Sequence, residues 1–397
     1  MDSQKLALAG GKPVRAAMLP YGHQTIEDDD IRQVGEVLRG HWLTQGPTVA
    51  EFEKAFADYL GLRYAVAFAN GTAALHGACF AAGLGPGDEA VVPAITFAAT
   101  ANAVIYLGAM PVLADVQPEN GLMDPSQLST LITKRTKVLL PVHYAGLPAE
   151  MDEVMKIARE RGLLVIEDAC HAPGATYRGR AAGTIGDMAC FSFHPVKPIT
   201  TGEGGMVVTN RAEFMNRLRL FRNHGIEKKP EWASQFGGWY YEMQQLGYNY
   251  RLTDIQAALG LSQLRKADRF LQARRRIAAF YDQAFSQTAG IAFLEEGPDR
   301  LCAYHLYPLL FEMDRLTCDK KTLFTALQAE GIGVQVHYIP IARHPFYREK
   351  NYEPSRTPQA EKFYLREISI PLYAGMTEAD SRDVVLAVNK VLLAYRK

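Results

Sequence analysis

The stretch FSFHPVKPITTGEGGMVVTN, Phe191 to Asn210, sets one lysine, Lys197, between two apolar runs. A proline, two threonines and the cluster Gly202, Gly204 and Gly205 follow it. A lone lysine is ordinarily a solvated surface group. Beside a buried, preorganised site it can instead lose its proton and condense with an aldehyde. Glycines next to it would let a ligand lie close to backbone. Ser192, just upstream, could bind an anion in the same neighbourhood.

Outward from this stretch, two periodicities alternate. RYAVAFA, DEAVVP, MPVLADV, TKVLLPVHY and LLVIED read as strands, with TAALHGACFAAGL, FAATANAVIYLG and AEMDEVMKIARERG as helices between them. Repeated switching between periods 2 and 3.6 predicts an α/β fold, a mostly parallel sheet covered by helices. PTVAEFEKAFADYLG reads as a helix that starts on a capping box of Thr48 and Glu51 and stops at Gly61. Past Asn210, AEFMNRLRLFRNHG is helical, and residues 227–246 read as a long aromatic loop. LTDIQAALGLSQLRKADRFLQARRRIAAFYDQAF reads as one or two helices leaving the first domain. HLYPLLFE, KKTLFTALQAEG, GVQVHY and DSRDVVLAVNKVLLAYR then give strand, helix, strand and helix, enough for a smaller α+β domain. The expected division is a large domain with an N-terminal segment over 1–255, then a connecting helix and small domain over 256–397.

Composition narrows the function. The 397 residues are 48% hydrophobic and 22% charged, with 43 basic and 43 acidic side chains. That balance gives no electrostatic reason to expect nucleic acid or an anionic membrane as partner. Five cysteines without a CxxC pair suit buried thiols in a reducing compartment. No signal-peptide h-region and no membrane-length apolar run is present, so the cytoplasm is the expected location. HExxH, GxSxG, the P-loop pattern and a strand-linked GxGxxG do not occur.

Ligands of open α/β sheets bind beyond the carboxyl ends of the strands. After RYAVAFA come Asn70, Gly71, Thr72 and a helix N-terminus, whose free N–H groups suit a phosphate. LLVIED ends on Asp168, a carboxylate that is costly in apolar surroundings unless a cation or donor answers it, and Ala169, Cys170 and His171 follow. A protonated pyridine nitrogen would be a suitable partner. Cys170 with a histidine base is a rival reading, but neighbours on an extended segment point to opposite faces. Each feature alone is equally a helix cap, a structural aspartate or a surface lysine. Together they supply a phosphate site, a pyridine partner and an amine, the three requirements for holding pyridoxal 5′-phosphate.

The lysine stretch, with EDACHAPGA before it and GYNYRLTDIQAALGLSQL after it, resembles the DegT/DnrJ/EryC1/StrS sugar-nucleotide aminotransferases. The resemblance runs from GHWLTQGPTVAEFE to GVQVHYIPI. It implies a fold-type I pyridoxal phosphate-dependent enzyme and a homodimer with its sites at the interface. Lys197 would carry the cofactor and act as the base, and Asp168 would keep the pyridine nitrogen protonated. His171 would meet the ring hydroxyl, where relatives often have glutamine, and Phe97 would stack on the ring. Gly71, Thr72 and Ser192 would hold the phosphate, helped by Asn249 reaching across from the other subunit. Tyr21, the segment His41, Trp42, Leu43 and Thr44, and the segment His337, Tyr338, Ile339 and Pro340 lie where the family contacts the sugar nucleotide. Members with histidine in place of the lysine are dehydratases, so Lys197 implies transamination.

KPITTGEGG, LTQG, VHYAG and VQVHYIPI are most similar to the pseudaminic acid branch of that family. This implies L-glutamate as donor and C4 of a UDP-linked 4-keto-6-deoxy-N-acetylhexosamine as acceptor. Branches making other 3-amino or 4-amino sugars share most of that wording. A non-catalytic binder of the cofactor or of a sugar nucleotide is a second class of reading, opposed by the presence of both Lys197 and Asp168.

Overall fold

The computed structural model describes residues 5–397. Its main sheet has seven strands: β1 (Tyr64–Phe68), β2 (Glu89–Pro93), β3 (Met110–Ala114), β4 (Thr136–Leu139), β5 (Leu164–Asp168), β6 (Met188–Ser192) and β7 (Gly205–Thr209). Their order is β1-β7-β6-β5-β4-β2-β3. Only β7 among the seven runs antiparallel to its neighbours β1 and β6. The α/β expectation therefore holds. β2 and β6 are buried at every residue, as a sheet covered on both faces requires.

Alternation along the strands sorts the two faces. Val66, Phe68 and Cys190 pack with α3 (Gly71–Ala81), α4 (Ala98–Ile105) and the helix Ala212–Arg222. Ala65, Ala67, Ala189 and Phe191 go the other way, against Phe52 and Phe56 of α2 (Pro47–Leu60), the helix after α1 (Asp28–Arg39), and Ala257 of the helix Asp254–Leu264. A smaller antiparallel sheet joins Ile291–Phe293, Tyr307–Phe311 and Glu367–Ile370, with Tyr307–Phe311 in the middle. The N-terminal segment lies on this part of the chain. Leu19 exchanges hydrogen bonds with Gly331 and Gly333, and Arg15 pairs with Asp380 and Asp383.

Three local readings need correction, and one open alternative resolves. Thr48 does not cap α2. The N-cap is Gly46 with Pro47 following, and the buried Asp254 accepts the N–H groups of Gly46 at 2.8 Å and Thr48 at 2.9 Å. A carboxylate brought in through space answers the helix start better than the local hydroxyl does. Replacing Asp254→Ala should cost about 2 kcal/mol, read as a lower midpoint in denaturant unfolding. An unchanged midpoint would show that this cap contributes nothing.

Residues 227–246 are not all loop. They hold a short helix, Pro230–Phe236, and a ladder between Ile226–Glu227 and Glu242–Met243. The aromatic residues there pair with one another, Phe236 on Tyr240 at 4.4 Å between ring centroids. The connecting segment is two helices, Asp254–Leu264 and Ala267–Phe285, and Lys266 between them pairs with Asp29 at 2.6 Å and Asp30 at 2.7 Å. Finally, GVQVHY is not a strand. It makes one bridge, Gln335 to Ser369, and the next N–H on that side, from His337, goes to the Glu367 carboxyl instead of a strand carbonyl.

Candidate active site

The ends of β1, β2, β5 and β6 open on one cavity of about 720 Å³. That size accommodates a cofactor together with part of a substrate. Of the residues singled out from sequence, Tyr21, Gly71, Thr72, Phe97, Asp168, His171, Ser192, Lys197, His337 and Tyr338 line it.

Lys197 owes its place to the loop behind it. Thr201 N–H and the Thr200 hydroxyl both donate to Phe193 O, and the Thr201 hydroxyl donates to Glu203 O. Phe193 N–H in turn donates to Gly204 O, so the proline, threonines and glycines close a loop that returns the chain into β7. Gly205 abuts the Asn70 carbonyl so closely that no Cβ would fit between them. The lysine loop and the β1–α3 turn are thus held together. The lysine's remaining exposure is to the cavity. Burial lowers its pKa, an effect that Cys170 and Asp168 partly offset. Its Nζ lies 3.4 Å from His305 Nε2. His305 is held neutral, first by burial and then by the lysine charge.

In protein stripped of cofactor, an amine-directed reagent should label Lys197 at lower pH than it labels exposed lysines. A lowered pKa leaves more of the amine neutral at a given pH below the ordinary lysine range. Peptide mapping across a pH series reads this, and a profile coincident with that of exposed lysines would refute the shift.

Asp168 is 5% exposed and forms no ion pair among the described residues. Its Oδ2 accepts the Thr100 hydroxyl at 2.8 Å and its Oδ1 accepts Cys170 N–H at 3.2 Å. Thr96 supports Thr100 at 2.7 Å. A buried carboxylate with donors but no cation suits a positively charged ligand group. His171 is buried and neutral, its pKa pushed well down by burial. Its Nε2 pairs with Tyr338 Oη at 2.9 Å, while its Nδ1 has no partner among the described residues. The Cys170 thiol is pushed well up by burial, which removes it as a nucleophile.

At the start of α3, Asn70 accepts Ala73 N–H at 2.8 Å, and the N–H groups of Gly71 and Thr72 find no acceptor among the described residues. A Cβ on Gly71 would stand 2.8 Å from Ser192 Cβ and 3.0 Å from its Oγ. The cradle of two N–H groups and the Ser192 hydroxyl exists because position 71 has no side chain. The residues therefore fit pyridoxal phosphate: a phosphate cradle, a carboxylate for the ring nitrogen, an unanswered donor-acceptor nitrogen on His171 and an amine. Gly71→Ala should raise the dissociation constant for pyridoxal phosphate about tenfold or more, about 1.4 kcal/mol per decade, by equilibrium titration of the stripped protein. Unchanged affinity would place the phosphate elsewhere.

The remaining residues lie off this cavity. His41 to Thr44 is exposed and runs beside the start of the helix Asp254–Leu264, where Thr44 bridges Thr253 and Leu43 O accepts Asp254 N–H. Asn249 is exposed and bridges Asn223. Ile339 is exposed, and Pro340 is buried at the turn that bonds Ala94. Sequence reasoning missed Thr100, Thr96 and His305. Thr96 and Thr100 follow a strand at one-helical-turn spacing, a usable signal. His305 read as the first residue of a strand and carried none.

Fold and site together define an aminotransferase built around pyridoxal phosphate. Residues 24–389 match the model of the DegT/DnrJ/EryC1/StrS aminotransferase family, and the chain belongs to that family. Among curated relatives, the spore coat polysaccharide biosynthesis protein SpsC of Bacillus subtilis is 40% identical over 95% of this chain and 98% of its own. A UDP-4-amino-4,6-dideoxy-N-acetyl-beta-L-altrosamine transaminase of Campylobacter jejuni is 37% identical over 96% and 99%. Among solved structures, Helicobacter pylori PseC, an aminotransferase of pseudaminic acid biosynthesis, superposes with a TM-score of 0.89 at 35% identity over 95% of this chain and 100% of that one. A sugar aminotransferase of Streptococcus pneumoniae, Spr1654, solved in its pyridoxal phosphate form, gives 0.89 at 28% identity over 95% and 99%. The chain is a pyridoxal phosphate-dependent sugar aminotransferase. No helix among the described residues is long and apolar enough to cross a membrane.

Proposed function

We propose that the enzyme moves the amino group of L-glutamate to C4 of a UDP-linked 4-keto-6-deoxy-N-acetylhexosamine, on the route to pseudaminic acid. The observation that carries this is a lysine, an unpaired buried aspartate and a helix N-terminus meeting in one cavity, in a chain that resembles the Campylobacter transaminase and PseC end to end. Bound pyridoxal phosphate supplies an aldehyde that takes up the amino group and a ring that spreads developing negative charge. The chain's residues do the rest. Gly71 and Thr72 N–H groups with the Thr72 and Ser192 hydroxyls anchor the phosphate. Asp168 favours a proton on the ring nitrogen, His171 holds the ring hydroxyl, and Phe97 covers one ring face. The Lys197 amine would take a proton from the substrate carbon and hold it at Nζ, a task suited to an amine of lowered pKa. Tyr21, His337 and Tyr338 form the sugar-nucleotide side.

Two copies complete the site in this reading, with Asn249 of each reaching the other's phosphate. Exposed Trp42, Trp239 and Leu246 offer apolar surface for such a contact. Sedimentation equilibrium should give twice the 44.0 kDa chain mass. A fully active monomer would remove the interface from the site.

The deciding experiment incubates the enzyme with L-glutamate and a panel of nucleotide keto-sugars, then identifies products by mass and NMR. A 4-amino product from the UDP-linked 4-keto-6-deoxy-N-acetylhexosamine supports the proposal. Amination of a different keto-sugar only, or at C3, would replace it with a sister activity.

A further inference from the structure

The sugar-side wall of the cavity is wired to a buried carboxyl. His337 Nδ1 lies 2.9 Å from Ser369 Oγ, and Ser369 Oγ lies 2.5 Å from Glu367 Oε1. Glu367 Oε2 accepts the backbone N–H of His337 at 2.9 Å. All three residues are buried. His337 Nε2 makes no hydrogen bond among the described residues, and the ring lines the cavity beside Tyr21, 5.5 Å away between centroids.

Hydrogen-bond counting fixes the directions in this chain. An ionised Glu367 only accepts, so the Ser369 hydroxyl donates to Oε1. The Ser369 oxygen must then accept from His337, which places the imidazole proton on Nδ1 and leaves Nε2 a bare acceptor. A neutral partner at position 367 that donates to Ser369 reverses every link. Ser369 then donates to Nδ1, and Nε2 carries the proton. Burial holds the His337 pKa at about 3, so the ring stays neutral and only its tautomer can change.

We propose that Glu367 and Ser369 are positioning residues that confine the His337 proton to Nδ1, so that Nε2 accepts a hydrogen bond from an amide N–H of the sugar. The inference rests on the sugar-nucleotide reading of this cavity. A wall of this kind selects substrates strongly, because an imidazole N–H facing a sugar amide N–H leaves two buried donors unanswered.

The arrangement is pH-sensitive. Burial raises Glu367 to about 7, against the opposing pull of Lys320, the Ser369 hydroxyl and the His337 N–H. Lys320 faces it from the helix Lys320–Ala329 and is itself lowered to about 8 by burial, with Arg343 adding repulsion. Tyr144 and Tyr338 also feel its charge, and burial keeps both phenols neutral. A raised carboxyl pKa means protonation as pH falls through about 7. The wall is therefore an acceptor above neutrality and a donor below it.

The test is ¹⁵N NMR of histidine-labelled holoenzyme, with His337→Gln assigning the resonance. Well above neutrality the proton should sit on Nδ1 in the wild type. In Glu367→Gln the amide oxygen takes the His337 backbone N–H, its NH₂ donates to Ser369, and the ring proton should move to Nε2. Acidification of the wild type should produce the same exchange. Ser369→Ala, a smaller change to packing, should lose the confinement to Nδ1 at every pH. Kinetically, Glu367→Gln should raise the KM for the nucleotide sugar about tenfold while leaving the KM for glutamate unchanged. A proton on Nε2 in the wild type above neutrality, or an unmoved proton in Glu367→Gln, overturns the inference. So does a moved proton with an unchanged sugar KM. If no nucleotide keto-sugar is turned over even by wild type, the functional reading fails by itself, and the NMR result still decides the tautomer.

Discussion

A Lys197→Ala protein should lose the visible absorbance of the bound cofactor and at least about four orders of magnitude of turnover. Two losses combine. In the proposed function the amine no longer ties the cofactor to the chain, and no base stands over the substrate carbon. The base alone is worth about two to four orders of magnitude. His305 is a poor substitute, because burial pushes its pKa well down and leaves it a weak base. Borohydride reduction of the wild type followed by peptide mapping should mark Lys197, and of the variant nothing. Full turnover by Lys197→Ala would end the aminotransferase assignment of this residue.

The second large effect is expected at Asp168. Asp168→Asn keeps the volume and can still accept from Thr100, so the cavity should survive. The charge that favours a proton on the ring nitrogen is gone. Loss of one preorganised charge in such a site typically costs about 3 kcal/mol, about two orders of magnitude in kcat. Single-turnover absorbance changes with glutamate should slow, while equilibrium binding of pyridoxal phosphate weakens far less. An unchanged rate would show that the ring nitrogen is held by another group. Thr100→Val separates support from charge. It removes the 2.8 Å donor and should slow the reaction by a smaller factor.

Much of this was legible in the chain because it rests on short-range patterns. The strands of the main sheet are apolar at consecutive positions since both faces are covered, and Asp168, Gly71 and Lys197 stand just past strand ends. What sequence could not supply was contact between distant segments. Asp254 caps α2 from over two hundred residues away, which no local capping pattern contains. GVQVHY carries strand-like alternation, yet the Glu367 side chain takes the His337 N–H that a ladder needs. In each case a through-space charge or hydrogen bond outcompetes a local preference of a fraction of a kcal/mol.

The close approach of Gly205 to the Asn70 carbonyl has a wider consequence. It rivets the two loops that serve the cofactor to each other, backbone on backbone, with no room for adjustment. The opposite bank of the cavity is built from Tyr21, His337 and Tyr338, which come from the N-terminal strap and the small-sheet region. Those pieces can be retailored without disturbing the riveted bank. A scaffold divided in this way can keep one chemistry while exchanging the sugars it serves, and engineering for a new acceptor should begin on the adjustable side.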